Sequence, residues 1–287
     1  MAYLEHPILR PKSLGPRYPS YHRGEYLEEY FFTNWNHICD QFKRKYIDVF
    51  WTNIFSNTEV VGEAYPDIQP ILDQELDPGG TYFTICQFDD GPLESLPQDT
   101  TIFSSGCNRM HGNVVPIPLI CSPIPKDSIP NNDKTHFASF IGSLTHPIRD
   151  ELITAFAGNK NYRFSCGSWT SRVSDKSLQL FLDVTASSRF TLCPRGYGRT
   201  SFRLYEAMQL GSVPVYISDH HVLPWGDELD WEEFCVIVDA TKFSNIDRIL
   251  TRITDKRYER MLRRAREIYG AYFSLEGVAA NIRKRID

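Results

Sequence analysis

The chain of 287 residues carries 31 Lys and Arg against 36 Asp and Glu, and 41% of its residues are hydrophobic. This length suits two ordinary domains, each with its own core. The formal net charge of −5 argues against a broad surface for nucleic acid or anionic lipid, because both require an excess of Lys and Arg. Any anion that the protein binds must therefore be held locally.

No apolar stretch reaches the roughly 18 uninterrupted residues that cross a bilayer, and the first residues do not form a basic segment followed by an apolar one. We therefore expect a cytoplasmic protein without membrane insertion. The seven cysteines include no Cys-x-x-Cys pair, and their odd number fits a complete disulfide framework poorly. They are interpreted as mostly buried thiols.

Helix and strand patterns alternate in the first half of the chain. The spacing of apolar residues predicts helices over 25–45 and 68–76, the second ended by Pro78-Gly79-Gly80. Strands are predicted over 46–51, 82–86, 100–103 and 113–117. Such alternation is typical of an α/β fold with a parallel sheet.

A segment dense in Pro and Asn, 122–133, predicts a linker between two domains. We place the domains at 1–125 and 126–287, each Rossmann-like, with the last helix a candidate to pack back on the first domain. Beyond the linker the alternation restarts, with helices predicted over 147–157, 176–186 and 201–210 and strands over 137–141, 162–165, 190–193, 213–217 and 235–238. Two successive α/β domains predict a cleft between them.

The most informative run is 190–219, in which an apolar strand leads into a loop with two glycines and two arginines, then a helix and another strand. The helix is predicted to begin at Thr200 or Ser201 as its N-cap. Glycines let the backbone approach a phosphate closely, and a helix N-terminus offers unpaired N–H groups. Arg195 and Arg199 add bidentate donors. The run therefore predicts a diphosphate-binding loop.

Arg203 and Glu206 lie three residues apart on the predicted helix, so their side chains share a face and can reach the same ligand. A carboxylate at this place can accept hydrogen bonds from ribose hydroxyls. Structural alternatives remain open: Gly196 and Gly198 also fit a simple tight turn, and the Arg–Glu pair also fits a solvated helix surface.

This run resembles the C-terminal signature of the exostosin family of inverting glycosyltransferases. Further segments resemble family segments in family order, namely 51–53, 82–91, 113–118 and 140–149. The resemblance covers roughly residues 49–219. It implies a GT-B architecture, in which two Rossmann-like domains face a cleft, the second holds the nucleotide sugar and the first holds the acceptor. It also implies that no metal is required.

The resemblance implies donor-binding roles for residues of the loop, the following helix and the 140–149 segment. They are Gly142, Ser143, Arg149, Arg195, Gly196, Tyr197, Gly198, Ser201, Arg203 and Glu206. The compact chain also resembles exostosin-like enzymes of large algal viruses, which build capsid glycans in the host cytoplasm and include a UDP-xylose-dependent β-xylosyltransferase acting on fucose. This similarity implies a UDP-sugar donor such as UDP-xylose, an oligosaccharide or glycoprotein acceptor, and no other cofactor.

Inverting transfer requires a general base for the acceptor hydroxyl and positive charge for the departing diphosphate. Arg195 and Arg203, with the helix N-terminus, are predicted to supply the charge. Asp89 and Asp90 are predicted as candidates for the base, because they follow the strand 82–86 at its carboxyl end, where open α/β sheets place ligands.

Alternatives remain open for the acidic pair and its neighbours. Either acid also fits a turn before Gly91, and the pair also fits a DxD-like site for Mg²⁺ or Mn²⁺. Asp67 and Asp73 are reserve candidates for the base. His220 and His221 fit either metal ligands or ordinary loop residues.

Two other functions compete with transfer. A non-catalytic glycan-binding module on the same fold would use aromatic residues such as Tyr65, Trp169 and Trp225 to stack on sugar rings. A P-loop nucleotide hydrolase is disfavoured, because Gly196-x-Gly198 lacks the GxxxxGK[ST] spacing and its lysine.

Overall fold

The computed structural model describes residues 4, 6–15, 24–109, 112–130 and 133–286. Asn131 and Asn132 of the predicted linker lie outside these residues, as does part of the Pro-rich opening segment. The described chain divides into two compact units, the first running to Ser122 and resuming at Leu275, the second spanning Pro123–Ser274. Each unit contains a parallel sheet with helices, so the predicted α/β class is confirmed.

The helices and strands of the described residues are numbered here in chain order. The helices are α1 (Leu27–Trp35), α2 (Trp51–Ser56), α3 (Gln69–Glu75), α4 (Pro147–Phe156), α5 (Asp175–Ala186), α6 (Phe202–Gln209), α7 (Ile246–Thr251), α8 (Asp255–Tyr272) and α9 (Leu275–Lys284). The strands are β1 (Lys45–Tyr46), β2 (Tyr82–Cys86), β3 (Thr100–Ser104), β4 (Asn113–Pro116), β5 (His136–Ser143), β6 (Tyr162–Gly167), β7 (Ser188–Pro194), β8 (Val213–Ser218) and β9 (Val236–Asp239).

The first unit is built on a sheet of order β1-β2-β3-β4 in which all neighbours are parallel. All five residues of β2 are buried, as expected for a central strand covered on both faces. Helix α9 belongs to this unit and buries Val278 and Ile282. The Arg283 guanidinium lies 5.0 Å from the centre of the Trp35 ring of α1, so the chain returns to the first unit at its end.

Two predictions near the start of the chain are wrong in their boundaries. The helix predicted over 25–45 ends at Trp35 and continues as a 3-10 helix over Asn36–Gln41. Trp51, predicted to end a strand, instead begins α2. Its indole Nε1 donates to Thr84 Oγ1 at 2.9 Å. The helix start is thus fixed by a tertiary contact that the periodicity of the sequence does not contain.

The second unit has a sheet of order β6-β5-β7-β8-β9, again with parallel neighbours. All six residues of β8 are buried, which matches its apolar sequence. Helix α6 is followed by Gly211 with φ of 67°, the left-handed conformation that glycine adopts at helix ends without steric cost. Helix α8 buries one stripe of side chains that includes Tyr258, Met261 and Ala265.

The strand order of the second sheet reverses between β5 and β7. The chain passes from β5 to its neighbour β6 on one side and from β7 to β8 on the other. Pairing of β5 with β7 runs from His136–Ser188 to Ser139–Thr191, although the strands continue to Ser143 and Pro194. The carboxyl ends of β5 and β7 therefore form a wedge at a topological switch point, where open α/β sheets bind ligands.

All seven cysteines are free thiols, and all but the half-buried Cys166 are buried, which confirms their interpretation from the sequence. Among the helices of the described residues, none is both long and apolar enough to traverse a bilayer.

Lys134 connects two helix ends in the second unit. Its Nζ donates to the carbonyl oxygens of Ala186 and Gly211, both at 2.6 Å. We expect Lys134→Met to lower the free energy of unfolding by about 1–3 kcal/mol, because the carbonyls lose a charged donor. Urea denaturation measures this. Lys126→Met alters an exposed lysine and should change stability by less than about 0.5 kcal/mol; equal losses in both variants would contradict the role of Lys134.

Candidate functional site

The two segments predicted to hold a donor meet at the wedge between β5 and β7. Arg149 of α4 donates from Nη1 to the carbonyl of Ser143 at 2.6 Å, on the β5 side. On the β7 side it donates from Nε to Arg195 at 2.9 Å and from Nη2 to Pro194 at 3.2 Å, again to carbonyl oxygens. One guanidinium group thus bridges the strand ends that backbone pairing leaves apart.

Arg149 is 8% exposed, and its guanidinium carbon lies 5.3 Å from the centre of the Phe140 ring. The side chain was predicted as a ligand-binding group, whereas its hydrogen bonds in the structure hold the two loops in place. Its positive charge nevertheless lies at the switch point, where it favours an anion.

Arg195 connects the loop to the end of β8. Its backbone N–H donates to Ile217 at 2.9 Å, Nη2 donates to the carbonyl of Tyr197 at 2.9 Å, and Nη1 pairs with Asp219 Oδ1 at 2.7 Å. Partial burial tends to raise the pKa of Asp219, but the hydrogen bond and charge of Arg195 outweigh it, so the pKa lies below its usual value. Asp219 therefore stays ionised and fixes the guanidinium.

The loop between β7 and α6 is short, and a backbone hydrogen bond joins its two ends. The N–H of Gly196 donates to the carbonyl of Thr200 at 3.0 Å, while the Tyr197 side chain is 59% exposed. A Cβ atom at position 196 would lie 3.0 Å from Arg149 Nη2 and 3.3 Å from Thr145 Oγ1. A side chain at position 196 would therefore press on the Arg149 guanidinium, which would have to shift by a few tenths of an ångström.

Helix α6 begins directly after this loop, at the same edge of the sheet. Ser201 occupies its N-cap position, with φ −147° and ψ 136°, and its side chain makes no cap hydrogen bond within the described part of the chain. The Thr200 Oγ1 atom is buried and lacks a hydrogen-bond partner among the described residues. A buried hydroxyl without a partner at a helix N-terminus is a group that a bound anion can satisfy.

Arg203 and Glu206 form an ion pair on α6. Arg203 also donates from Nε to the carbonyl of Ile141 in β5 at 2.6 Å, and its guanidinium carbon lies 4.1 Å from the centre of the Phe181 ring. Glu206 is only 1% exposed, so the alternative of a solvated pair is wrong. The pair instead lies against the wedge.

The carboxyl group of Glu206 is only partly satisfied. Its Oε2 accepts from Arg203, whereas Oε1 is buried without a hydrogen-bond partner in the described ranges. Burial raises the pKa of Glu206 to about 8. A buried acceptor of this kind costs free energy unless a ligand or water donates to it.

The structure brings the predicted donor-binding residues to one edge of the second sheet. Those residues are Gly142, Ser143, Arg149, Arg195, Gly196, Tyr197, Gly198, Ser201, Arg203 and Glu206. Arg149, Arg195 and Arg203 carry positive charge there, and α6 points its N-terminus to the same edge. Thr200 and Glu206 each present a buried polar atom without a hydrogen-bond partner among the described residues. The arrangement can bind a group that combines an anionic part with hydroxyl donors.

His146 lies at the same edge and was not predicted as a site residue. Its ring nitrogen Nδ1 accepts from the N–H of Ile148 at 3.4 Å, so the side chain caps α4. Burial, followed by the nearby charge of Arg195, lowers the pKa of His146. A neutral ring can accept this bond, and the only sequence signal for it was a polar residue directly before a helix-starting proline.

Asp89 and Asp90 lie at the carboxyl end of β2 in the first unit, as predicted. They occupy the centre of a turn closed by the Gly91 N–H on the carbonyl of Phe88 at 3.2 Å, with Gly91 at φ 70°. Asp89 is 8% exposed, and Asp90 Oδ1 accepts from Asn108 Nδ2 at 2.9 Å. The turn alternative is confirmed for the backbone, and the role of either acid as a base stays a prediction.

The remaining predicted residues lie in different environments. Asp67 and Asp73 are exposed. Tyr65 and Trp169 are 38% and 49% exposed and present ring surface to solvent, whereas Trp225 is 3% exposed and packs in the core. Trp225 is therefore wrong as a sugar-stacking candidate, because its ring has no open face.

His220 and His221 are both exposed. Across the residues that the structure describes, there is no group of three or more His, Cys, Asp or Glu side chains placed to hold a metal ion.

The packing of Gly196 against Arg149 predicts that a larger residue at position 196 lowers the stability of the fold. Gly196→Ala should displace the Arg149 guanidinium and lower the free energy of unfolding by about 1–3 kcal/mol. Thermal or urea denaturation measures it. Gly158→Ala is the matched control, because nothing lies within 4 Å of a Cβ atom there. If both alanines were equally tolerated, the loop would not depend on the contact with Arg149.

Comparison with known proteins agrees with this geometry. A family model described as the Exostosin GT47 domain matches residues 82–253. A probable glycosyltransferase of Arabidopsis thaliana is 34% identical over 131 residues, covering 46% of this chain and 24% of that protein. Human exostosin-2 is 35% identical over 97 residues, covering 33% of this chain and 14% of its own length. A probable glucuronosyltransferase of rice is 46% identical over 66 residues, 23% of this chain and 15% of that protein.

The matched regions are short relative to these relatives, since the first Arabidopsis proteins are covered over only 24%, 27% and 25% of their length. Among solved structures, TarM is similar over 82% of this chain and 53% of its own, with a TM-score of 0.45 and 9% identity. The family match begins at β2 and ends just before α8. It therefore contains both the turn at Asp89 and Asp90 (the acidic turn) and the wedge between β5 and β7 that Arg149, Arg195 and Arg203 line (the arginine-lined wedge). The chain therefore belongs to the exostosin GT47 family.

Proposed function

We propose that the protein is an inverting glycosyltransferase of the GT-B type that moves a sugar from a UDP-sugar to a glycan hydroxyl. The observation that carries this proposal is the half-satisfied carboxyl group of Glu206 beside the arginine-lined wedge, in a chain of the exostosin GT47 family. A nucleoside diphosphate supplies what this arrangement lacks, because its ribose hydroxyls donate hydrogen bonds and its diphosphate is anionic.

In this proposal the two parts of the donor bind different groups of the second unit. Ribose hydroxyls donate to Glu206 Oε1, and the diphosphate lies at the N-terminus of α6 near the Thr200 hydroxyl. Arg149, Arg195 and Arg203 keep their hydrogen bonds to the protein and act through their charge. Such fixed charges stabilise a leaving group without reorganisation at the moment of reaction.

The reaction is a single displacement. The acceptor oxygen forms a bond to the anomeric carbon as the bond from that carbon to the diphosphate oxygen breaks, and a base accepts the acceptor's hydroxyl proton. UDP leaves with the bonding electron pair. We assign acceptor binding to the first unit and the base to Asp89 or Asp90, as the family resemblance and the position after β2 suggest.

The most specific part of the proposal is the identity of the donor sugar. We extend the proposal to UDP-xylose and a β-linkage to a glycan such as one containing fucose on the resemblance noted from the sequence alone, whereas a similar rice protein bears the name of a probable glucuronosyltransferase. A transfer assay should therefore compare UDP-xylose with UDP-glucuronic acid, and repeat the active donor with EDTA, since the proposal includes no metal. Glycan binding without UDP binding would favour a non-catalytic glycan-binding module, for which the exposed rings of Tyr65 and Trp169 are suited.

UDP binding tests the role of Glu206 directly. Saturating UDP, at about 100 times its dissociation constant, should stabilise the fold by about 2.7 kcal/mol in a thermal-shift experiment. Glu206→Gln should weaken UDP binding about tenfold or more, because a charged acceptor for the ribose is lost. Glu232→Gln changes an exposed acid of the same unit and should leave the affinity unchanged. Equal affinity of wild type and Glu206→Gln would contradict the proposal.

The proposed hydrogen bond from ribose to Glu206 predicts that the affinity for UDP depends on pH. Burial raises the pKa of free Glu206 to about 8, while donation from ribose hydroxyls favours the ionised form, so the pKa falls when UDP binds. Binding then releases a proton, and affinity should rise with pH up to about 8 and level off above it, by at most about tenfold per pH unit. Calorimetry between about pH 6.5 and 8.5 measures this slope. The slope should disappear in Glu206→Gln.

Substitution of the acidic turn tests the assignment of the base. Asp89→Asn or Asp90→Asn should lower kcat by about 10²–10⁴-fold in whichever variant removes the base, with UDP affinity unchanged. Rates of sugar transfer and calorimetric UDP titrations supply the two measurements. Asp77→Asn alters an exposed acid of the same unit and is expected to keep full activity. Full transfer rates in both Asp89→Asn and Asp90→Asn would remove the turn from catalysis.

A further inference from the structure

The first unit presents an exposed aromatic ring that is hydrogen-bonded to a carboxyl group, and the transfer step described above uses neither. Tyr65, on the segment between α2 and α3, is 38% exposed. Its hydroxyl group donates a hydrogen bond to Glu94 Oε1, on the segment between β2 and β3. Burial, followed by this hydrogen bond and the charge of Glu94, raises the pKa of Tyr65. The phenol therefore keeps its proton and remains the donor.

The ring of Tyr65 rests on the core of the first unit. It stacks on Phe55 of α2, with the ring centres 5.7 Å apart and the ring planes 13° apart. Phe55 is 2% exposed, and its ring centre lies 4.6 Å from that of Phe88. Phe55 therefore covers one face of the Tyr65 ring, and the other face supplies the exposed surface. A fixed ring with one open face is a group on which the apolar face of a sugar can stack.

Glu94 has capacity for further hydrogen bonds. Its Oε2 is buried and lacks a hydrogen-bond partner within the described ranges of the chain, while the residue as a whole is half-buried. A carboxylate accepts about four hydrogen bonds, and its terminal torsion rotates over a broad range, so either oxygen can turn toward a ligand. A sugar stacked on Tyr65 can therefore donate a hydroxyl hydrogen bond to Glu94.

The segment that carries this carboxyl group is fixed at the edge where β2 ends. Ser95, the next residue, donates from its N–H to Gln69 Oε1 at 2.8 Å and accepts from Gln69 Nε2 at 3.1 Å. Gln69 begins α3, and a tight turn over 77–80 reverses the chain between α3 and β2, so the start of α3 and the end of β2 lie at the same edge. Phe88, the last ring of the stack, directly precedes the acidic turn. The ring and the carboxyl group therefore lie at the edge to which the base was assigned.

The charge at this place favours an uncharged ligand. A sugar that stacks on Tyr65 and donates to Glu94 lies directly beside a carboxylate. A carboxylate or sulfate group on that sugar would bring like charges close together, which is unfavourable. Asp89 and Asp90 of the acidic turn add two further acids at the same edge.

We propose that Tyr65 and Glu94 form an acceptor subsite for a neutral pyranose, whose ring stacks on Tyr65 and whose hydroxyl donates to Glu94. The inference rests on the proposed transfer function and adds to it the class of acceptor, a glycan whose residue at this subsite carries no carboxylate or sulfate group. Both side chains bind the acceptor and take no part in proton transfer.

Binding of simple glycosides to the full chain tests the subsite without any transfer step. Methyl β-D-glucoside, methyl β-D-galactoside and methyl α-L-fucoside are the neutral probes, and methyl β-D-glucuronide is the anionic counterpart of the first. In NMR titrations, at least one neutral probe should bind, and the glucuronide should bind about threefold to tenfold more weakly than the tightest neutral probe. Absence of binding by all three neutral probes would overturn the inference, and so would a glucuronide that binds as tightly as the tightest of them.

Variants of the two residues assign the binding to this place. Tyr65→Ala should raise the dissociation constant of the neutral probe about tenfold, whereas Tyr65→Phe keeps the ring and should stay within about threefold of wild type. Glu94→Gln should bring the glucuronide to within about twofold of the neutral probe, because the repulsion is removed. Glu63→Gln alters an exposed acid two residues before Tyr65 and should preserve the wild-type preference. Equal affinities of Tyr65→Ala and wild type would contradict the role of the ring.

The transfer assay separates this inference from the proposed function. With the active donor, Tyr65→Ala should raise KM for a neutral acceptor about tenfold and leave the affinity for UDP unchanged, because Tyr65 belongs to the first unit. An unchanged KM overturns the subsite and leaves the transfer function in place. If the wild type binds UDP but transfers no sugar, the proposed function fails, and the glycoside titrations still decide whether Tyr65 and Glu94 bind a sugar.

Discussion

The second unit depends on one interaction, the bridge that Arg149 makes between the ends of β5 and β7. In this sheet the pairing of β5 with β7 extends only to Ser139 and Thr191, so carbonyl groups beyond that point are bonded by other donors. Arg149 supplies these donors to Ser143, Pro194 and Arg195, and Arg203 supplies one to Ile141. The groups that complete the fold thereby also bring positive charge to the edge where donor binding is proposed.

The two units use buried carboxyl groups in a comparable way. Glu206 in the second and Glu28 in the first are each almost completely buried, and each has one carboxyl oxygen without a hydrogen-bond partner among the residues that the structure describes. Desolvation raises the pKa of both.

Local sequence patterns predicted the bounds of those helices and strands whose ends depend on neighbouring residues alone. Strand β2 has the predicted bounds, and α6 begins after Ser201 and ends before Gly211, because an apolar run and a helix-ending glycine act within a few residues. The start of α2 was not predicted, because it depends on contacts between residues that are distant along the chain. It depends on Trp51 reaching Thr84 and on Thr52 reaching Glu28, contacts between residues 33 and 24 positions apart.

The sequence by itself determined the α/β class and the family and predicted which residues form the candidate donor loop, since these follow from periodicity and from a run of chemically distinctive side chains. Only the tertiary structure decided what each side chain does. It showed that Arg149 and Arg195 hydrogen-bond the carbonyl groups of the loop, that Trp225 is buried, and that Glu28 is buried and His146 caps α4. The physical reason is that burial and hydrogen-bond partners arise from segments that are distant along the chain, and they determine which charges are satisfied and which remain available.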